Sequence, residues 1–344
     1  MRSAIMVLLS MPMVLFGAGG NEIRSTDGSV SLRYNLTHYN QEIANGLGVA
    51  HDDGPYNYVS QPDDGAQLSD WGNAFEGEAV LPYGLRLFGQ EWKPFVLVGH
   101  EKTNQHIREL RSLAVWSPNG NFIDILPIDG SPADIWYFGV GTPTDKIGEE
   151  YRIRQWRSYG NLGIQRALNE GKSLRFSLYY AQHKTTLESE VYDPNDYANS
   201  VLGLHERIKG YSFGPAAEFR IDYPAMEKLT LFARFSTALL YSHAELNADQ
   251  YSFNGGAWHV EDSRHDIAVH GDLELGLRYR ITPKLSLNLS GAAGYRNDAY
   301  RIVNPRAKMG ENINDPASYH PAPAHLDRVG EQTFHFGASL TYRF

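Results

Sequence analysis

The sequence predicts an all-β protein: a transmembrane antiparallel β-barrel of about 12 strands (roughly 10–14), wound as an up-and-down meander behind an N-terminal signal peptide. Three observations predict it. Apolar and polar residues alternate with period two in runs that outlast a typical soluble strand of about 5–6 residues. Charged residues in these runs keep to one face. Short and long connections alternate along the C-terminal half, as inner turns and outer loops of an outer-membrane barrel do.

Residues 1–20 read MRSAIMVLLSMPMVLFGAGG: one basic residue, Arg2, then an apolar core, then small residues. This is the layout of an export signal, and the core is shorter than the ~20 apolar residues a spanning helix needs. Residues 21–344 are expected to form one barrel, because no linker, low-complexity stretch or charge block divides them. Strands are expected at residues 28–39, 73–89, 93–103, 108–117, 134–143, 150–167, 173–187, 207–222, 228–246, 265–281, 284–300 and 332–344. In the strand that begins at Tyr211, the residues Tyr211, Phe213, Ala217, Phe219, Ile221 and Tyr223 share one face, and Ser212, Glu218, Arg220 and Asp222 the other. The strand from Ile267 sorts Val269, Leu273, Leu275, Leu277 and Tyr279 from His270, Asp272, Glu274, Arg278 and Arg280. A tilted strand crosses a bilayer in about 9–11 residues, and these runs exceed that. Long outer loops are expected near residues 40–72, 188–206, 247–264 and 301–331. The stretch 104–150 is ambiguous. Residues 122–128 and 134–141 are apolar on both faces and suit either strands or a segment folded into the lumen.

Composition narrows the function. The chain has 344 residues, 31 Lys+Arg against 40 Asp+Glu and a net charge of -9, which excludes a broad basic face for nucleic acid. It has no cysteine, so disulfides, thiolate metal sites and a Cys nucleophile are excluded. No Walker A, G-x-S-x-G or H-E-x-x-H motif is present, and no cofactor or metal is expected.

The last strand, Phe334-His-Phe-Gly-Ala-Ser-Leu-Thr-Tyr-Arg-Phe344, resembles the C-terminus of bacterial outer-membrane β-barrels. In that class the terminal aromatic residue, here Phe344, is part of the signal read by the barrel-assembly machinery. The blocks at residues 213–219, 231–235 and 272–279 resemble the pore-forming major outer-membrane proteins of Legionella type. The resemblance implies a porin-like channel in a Gram-negative outer membrane. It also implies contact with outer-membrane lipid and lipopolysaccharide, small hydrophilic solutes as cargo, and scope for a homo-oligomer.

An Arg or Lys facing lipid at the midplane costs about 2–4 kcal/mol, so the charged face is expected to line a pore. The expected lining residues are Glu76, Glu78, Arg86, Glu218, Arg220, Asp222, Arg234, Asp272, Glu274, Arg278, Arg280, Arg296 and Arg343. A salt-bridged, plugged lumen is the competing arrangement for the same residues. Two further classes stand as alternatives. A barrel hydrolase, protease or lipid-A-modifying, would act through a rim set in Glu261-Asp262-Ser263-Arg264-His265-Asp266, where a carboxylate orients a His. A surface adhesin or structural barrel would act through its outer loops.

Overall fold

The computed structural model describes residues 28–45, 49–53, 56–59, 66–112, 123–131, 146–169, 171–192, 202–252, 255–305, 317 and 321–344. The expected export signal 1–20 and the expected strand 134–143 lie outside them.

Ten long strands close into an antiparallel barrel: β1 (Ser29–Ala44), β4 (Ala66–Val80), β6 (Gln90–Ser112), β8 (Lys146–Asn169), β9 (Lys172–Tyr192), β10 (Leu202–Met226), β11 (Leu229–Ser252), β12 (Ala257–Arg280), β13 (Leu285–Val303) and β14 (His325–Arg343). Closure comes from β4 pairing with both β1 and β6. Followed from Lys102 through β8 and β9, the register reaches β10 at Lys209. Followed the other way round, it reaches β10 at Ile221, a stagger of 12 residues over the ten strands. Stagger and strand number are linked to a tilt of about 35–45°.

Three short strands lie apart from the wall. β2 (Val49–Asp53), β3 (Tyr56–Val59) and β7 (Ile123–Ile125) form a small sheet of their own in the order β3-β2-β7. β5 (Leu85–Leu87) pairs only with β6, across a tight turn in which Phe88 (φ 53°) and Gly89 (φ 72°) are both left-handed, the geometry that suits strand twist. The short turns between β8 and β9, β10 and β11, and β12 and β13 share one end of the barrel with β5. The long connections share the other end.

The count of about twelve is corrected to ten. The two strands expected at 93–103 and 108–117 are one, because β6 pairs with β8 without a break from Lys93–Gln165 to Ser112–Lys146. The polar run that suggested a turn is ordinary strand, with Asn104 and His106 outward and Thr103 and Gln105 inward. The strand expected at 73–89 ends at Val80, and the chain folds back through β5.

The expected outer loops also shrink, for one physical reason. In the half of each strand nearer the short turns, apolar side chains point out and polar ones in. On β11, Leu231, Phe235 and Leu239 are exposed on the outside, with Arg234 and Ser236 inside. Beyond Tyr241 the sorting inverts while the strand continues. His243, Glu245, Asn247 and Asp249 now face out, and Ala244, Leu246 and Ala248 are buried inside. On β12, read toward its N-terminus from Ile267, the outer face likewise turns polar with His265, Ser263, Glu261 and His259, while the inner face carries Asp266, Arg264 and Asp262 before Val260 and Trp258. Residues 247–264 therefore form two strands and a hairpin, not a loop. The inversion replaces an apolar outer face by a polar one partway along the strand. A strand of 24 residues such as β11 climbs roughly 60 Å at this tilt, against an apolar band of ~25 Å in membrane barrels.

Candidate functional site: the lumen and the rim

The lumen is built in two tiers. In the tier behind the outer apolar belt, seven side chains from six strands form a ladder across the interior. Arg33 sits 3.6 Å from Glu76 and 3.0 Å from Glu274. Arg234 joins Glu274 (2.6 Å) to Glu218 (3.6 Å). Arg175 joins Glu218 (3.6 Å) to Glu78 (2.7 Å). Toward the short turns, Asp222 pairs with Arg220 (2.8 Å) and Arg278 (3.3 Å). In the other direction, Arg296 pairs with Glu331 (2.6 Å) and Glu101 (3.2 Å). Beside these, Asp298 gathers Arg157 (2.7 Å), His270 (2.8 Å) and the Ser212 hydroxyl (2.7 Å), and is itself fully buried. The ladder leaves a polar cavity of about 170 Å³ lined by Arg33, Glu76, Tyr159, Arg234 and Asp272 among others.

In the tier beyond the belt aliphatic side chains fill much of the interior, beside the inward-facing Asp262, Arg264 and Asp266 of β12. Ile43, Leu68, Ile153, Leu187, Leu204, Ile208, Leu246 and Ile302 converge there as an apolar core. Ile128 stands at its centre, fully buried. It arrives on the segment after β7, one of the two structures the sequence allowed for residues 122–128. Gln250 holds that segment, accepting from the Ile128 N–H (2.8 Å) and donating to the Leu126 carbonyl (3.2 Å). The Ala324 N–H donates to the Ile128 carbonyl (2.7 Å). Buried in the same tier is Glu206, with both carboxyl oxygens lacking a hydrogen-bond partner among the described residues. Burial pushes its carboxyl up to about 8, offset in part by the nearby Asn304 amide.

Of the side chains expected to line a pore, Glu76, Glu78, Glu218, Arg220, Asp222, Arg234, Asp272, Glu274, Arg278 and Arg296 face the lumen. Arg280 and Arg343 lie at the short-turn lip; both are exposed, and Arg280 donates to the Glu227 carbonyl. Arg86 is not in the lumen: β5 carries it outside the wall, exposed. Sequence reasoning missed Arg33, Glu101, Arg157, Arg175, Asp298 and Glu331. Period-two counting along β1, β6, β8, β9, β13 and β14 places all six inward, so the signal was present.

The rim hydrolase set does not assemble. It lies within β12, where alternation sends Asp262, Arg264 and Asp266 inward and Ser263 and His265 outward. Arg264 pairs with Asp266 (2.8 Å) and Asp327 (3.0 Å), while His265 meets Tyr241 and His243 on the opposite face. A wall thus separates the proposed base from its carboxylate. A different rim pair, His259 Nδ1 to Asp249 at 2.7 Å, also has Glu261 3.6 Å from Nε2. These carboxylates, Asp249 first, raise the imidazole above its ordinary range. Asp249 thus lies at hydrogen-bond distance from one ring nitrogen and Glu261 at ion-pair distance from the other.

No family model matches the chain, and no curated protein matches it. Among solved structures it is similar to the outer membrane protease OmpT of Escherichia coli (10% identity, TM-score 0.49, covering 94% of this chain and 99% of that one). It is also similar to the translocator domain of the autotransporter NalP of Neisseria meningitidis (10%, 0.37, covering 100% and 95%). A third is the toluene transporter TodX of Pseudomonas putida (8%, 0.33, covering 92% and 90%).

Proposed function

We propose that the protein is an outer-membrane barrel that crosses the bilayer with its apolar belt and projects its sealed half from the cell surface as a binding scaffold. The observation that carries this reading is the inverted sorting. Outside, apolar residues edged by Tyr180, Tyr211, Tyr241 and Tyr295 give way to charged ones, while inside, the ion-pair ladder gives way to an apolar core around Ile128. Apolar side chains facing out suit hydrocarbon, and aromatic rings at the edge suit the headgroup level. Paired charges followed by aliphatic side chains, among the described residues, suit a closed lumen better than a solute pore. What remains for function is the projecting wall and its connections.

Reconstitution in a planar bilayer tests this. The wild-type protein is expected to insert without producing conductance steps at any voltage. Stepwise conductance would end the scaffold reading and favour a narrow channel, for which the polar cavity behind the belt is the supporting feature.

A further inference from the structure

We infer that the outer wall of β6, β8, β9 and β10 carries a site for a phosphorylated glycolipid of the outer leaflet; this rests on the membrane reading above. Two features of the wall, an apolar groove and a row of lysines, point to one ligand.

The first is an apolar groove of about 700 Å³ in the belt, lined by Val98, Leu162, Leu178, Tyr180 and Phe213 and deepened at Gly160, which carries no side chain. It faces outward, where acyl chains would lie. The second lies four residues farther along the same four strands, roughly 13 Å beyond. There Lys102, Trp156, Lys184 and Lys209 are direct cross-strand neighbours in one row. The next row holds Arg154 and Arg207 on either side of Thr186. Between groove and lysines runs a polar row of His100, Ser158, Gln182 and Tyr211.

Like charges placed directly opposite on a sheet, as Lys184 and Lys209 are, destabilise it. No carboxylate reaches ion-pair distance of Lys102, Lys184 or Lys209 among the described residues, not even Glu245 beside Lys209. Elsewhere in these two rows the wall is not basic: on β11 and β12 they hold Glu245, Asn247, Ser263 and Glu261. Within these two rows, among the described residues of β6 and β8 to β12, the cations lie above the groove. Apolar groove, hydrogen-bonding row and lysine row match the order of acyl chains, sugar and phosphate in such a lipid, and a phosphate between the lysines removes their repulsion.

The test uses the full chain folded in detergent. Bound lipid is measured by native mass spectrometry with a bisphosphorylated disaccharide lipid, with its dephosphorylated form, and with inorganic phosphate as competitor. The wild type is expected to hold the bisphosphorylated lipid at least tenfold more tightly than the dephosphorylated one. The Lys102→Gln/Lys184→Gln/Lys209→Gln variant is expected to lose that preference. Gly160→Leu, whose Cβ meets only the Leu97 carbonyl at 3.3 Å and a Val98 methyl, fills the groove and is expected to weaken both lipids. Equal binding of the two lipids, a triple variant as tight as wild type, or displacement by millimolar inorganic phosphate overturns the site. Vesicle insertion of the same preparations is scored separately. A chain that stays out of vesicles overturns both this site and the membrane reading, whereas one that inserts but shows no lipid preference overturns the site alone.

Discussion

Asp298→Ala is expected to lower the stability of the folded barrel by about 3–5 kcal/mol, the cost of leaving a buried charge without its partner. The Asp298 carboxylate takes both Nη atoms of Arg157, the His270 ring and the Ser212 hydroxyl, and neither it nor Arg157 meets solvent. Truncation strands the guanidinium, whose remaining polar contacts are the Tyr179 hydroxyl at 3.0 Å and His270 Nε2 at 3.5 Å. The control is Glu188→Ala, which removes the exposed Arg154–Glu188 pair (3.4 Å) and should cost less than about 1 kcal/mol. Denaturant unfolding in detergent, followed by tryptophan fluorescence, gives both values. An Asp298 variant as mild as the Glu188 one would show that water or a shifted partner compensates the charge.

Glu206 gives the second large effect, and its sign is opposite to that of most carboxylates. Its folded value, about 8, lies above the ordinary 4.5, so the folded chain holds a proton that the unfolded chain has released between those two values. Stability is therefore full below pH 4.5 and falls as pH rises toward 8, by up to about 5 kcal/mol. Glu206→Gln, neutral at every pH, should remove that slope and be the more stable protein above pH 8. Unfolding midpoints at pH 5, 7 and 9 measure it. Parallel pH curves for wild type and variant would show that the carboxyl is solvated or paired in solution. His259 gives a slope of the same sign at the rim, from a stabilising pairing and not from a burial cost. Its imidazole is raised, so the stability from its carboxylate partners is present at low pH and fades as pH rises past the raised value. The ring is fully exposed, so solvent screens that contribution.

The residue pattern carried the barrel and its outward apolar belt because period-two sorting is local. Each residue's face is fixed by its place in its own strand. Leu231 and Arg234 are assigned to opposite faces by counting alone, and so were most lumen charges. The same counting, applied within β12, already separates His265 from Asp266. The reading failed where it took loss of the outward apolar pattern for loss of the strand, at residues 188–206 and 247–264. The projecting half simply carries the reverse pattern, as any half-buried strand in water does.

The sequence by itself determined extended strands, their two faces and the apolar band, since these depend on neighbours two residues apart. Only the tertiary structure decided that ten strands close the cylinder, that β6 is one strand, and that Ile128 joins the apolar core inside it. It alone also set which charges meet, such as Arg33 with Glu274, 241 residues away. Those outcomes depend on closure and stagger, which bring together side chains that no local period relates.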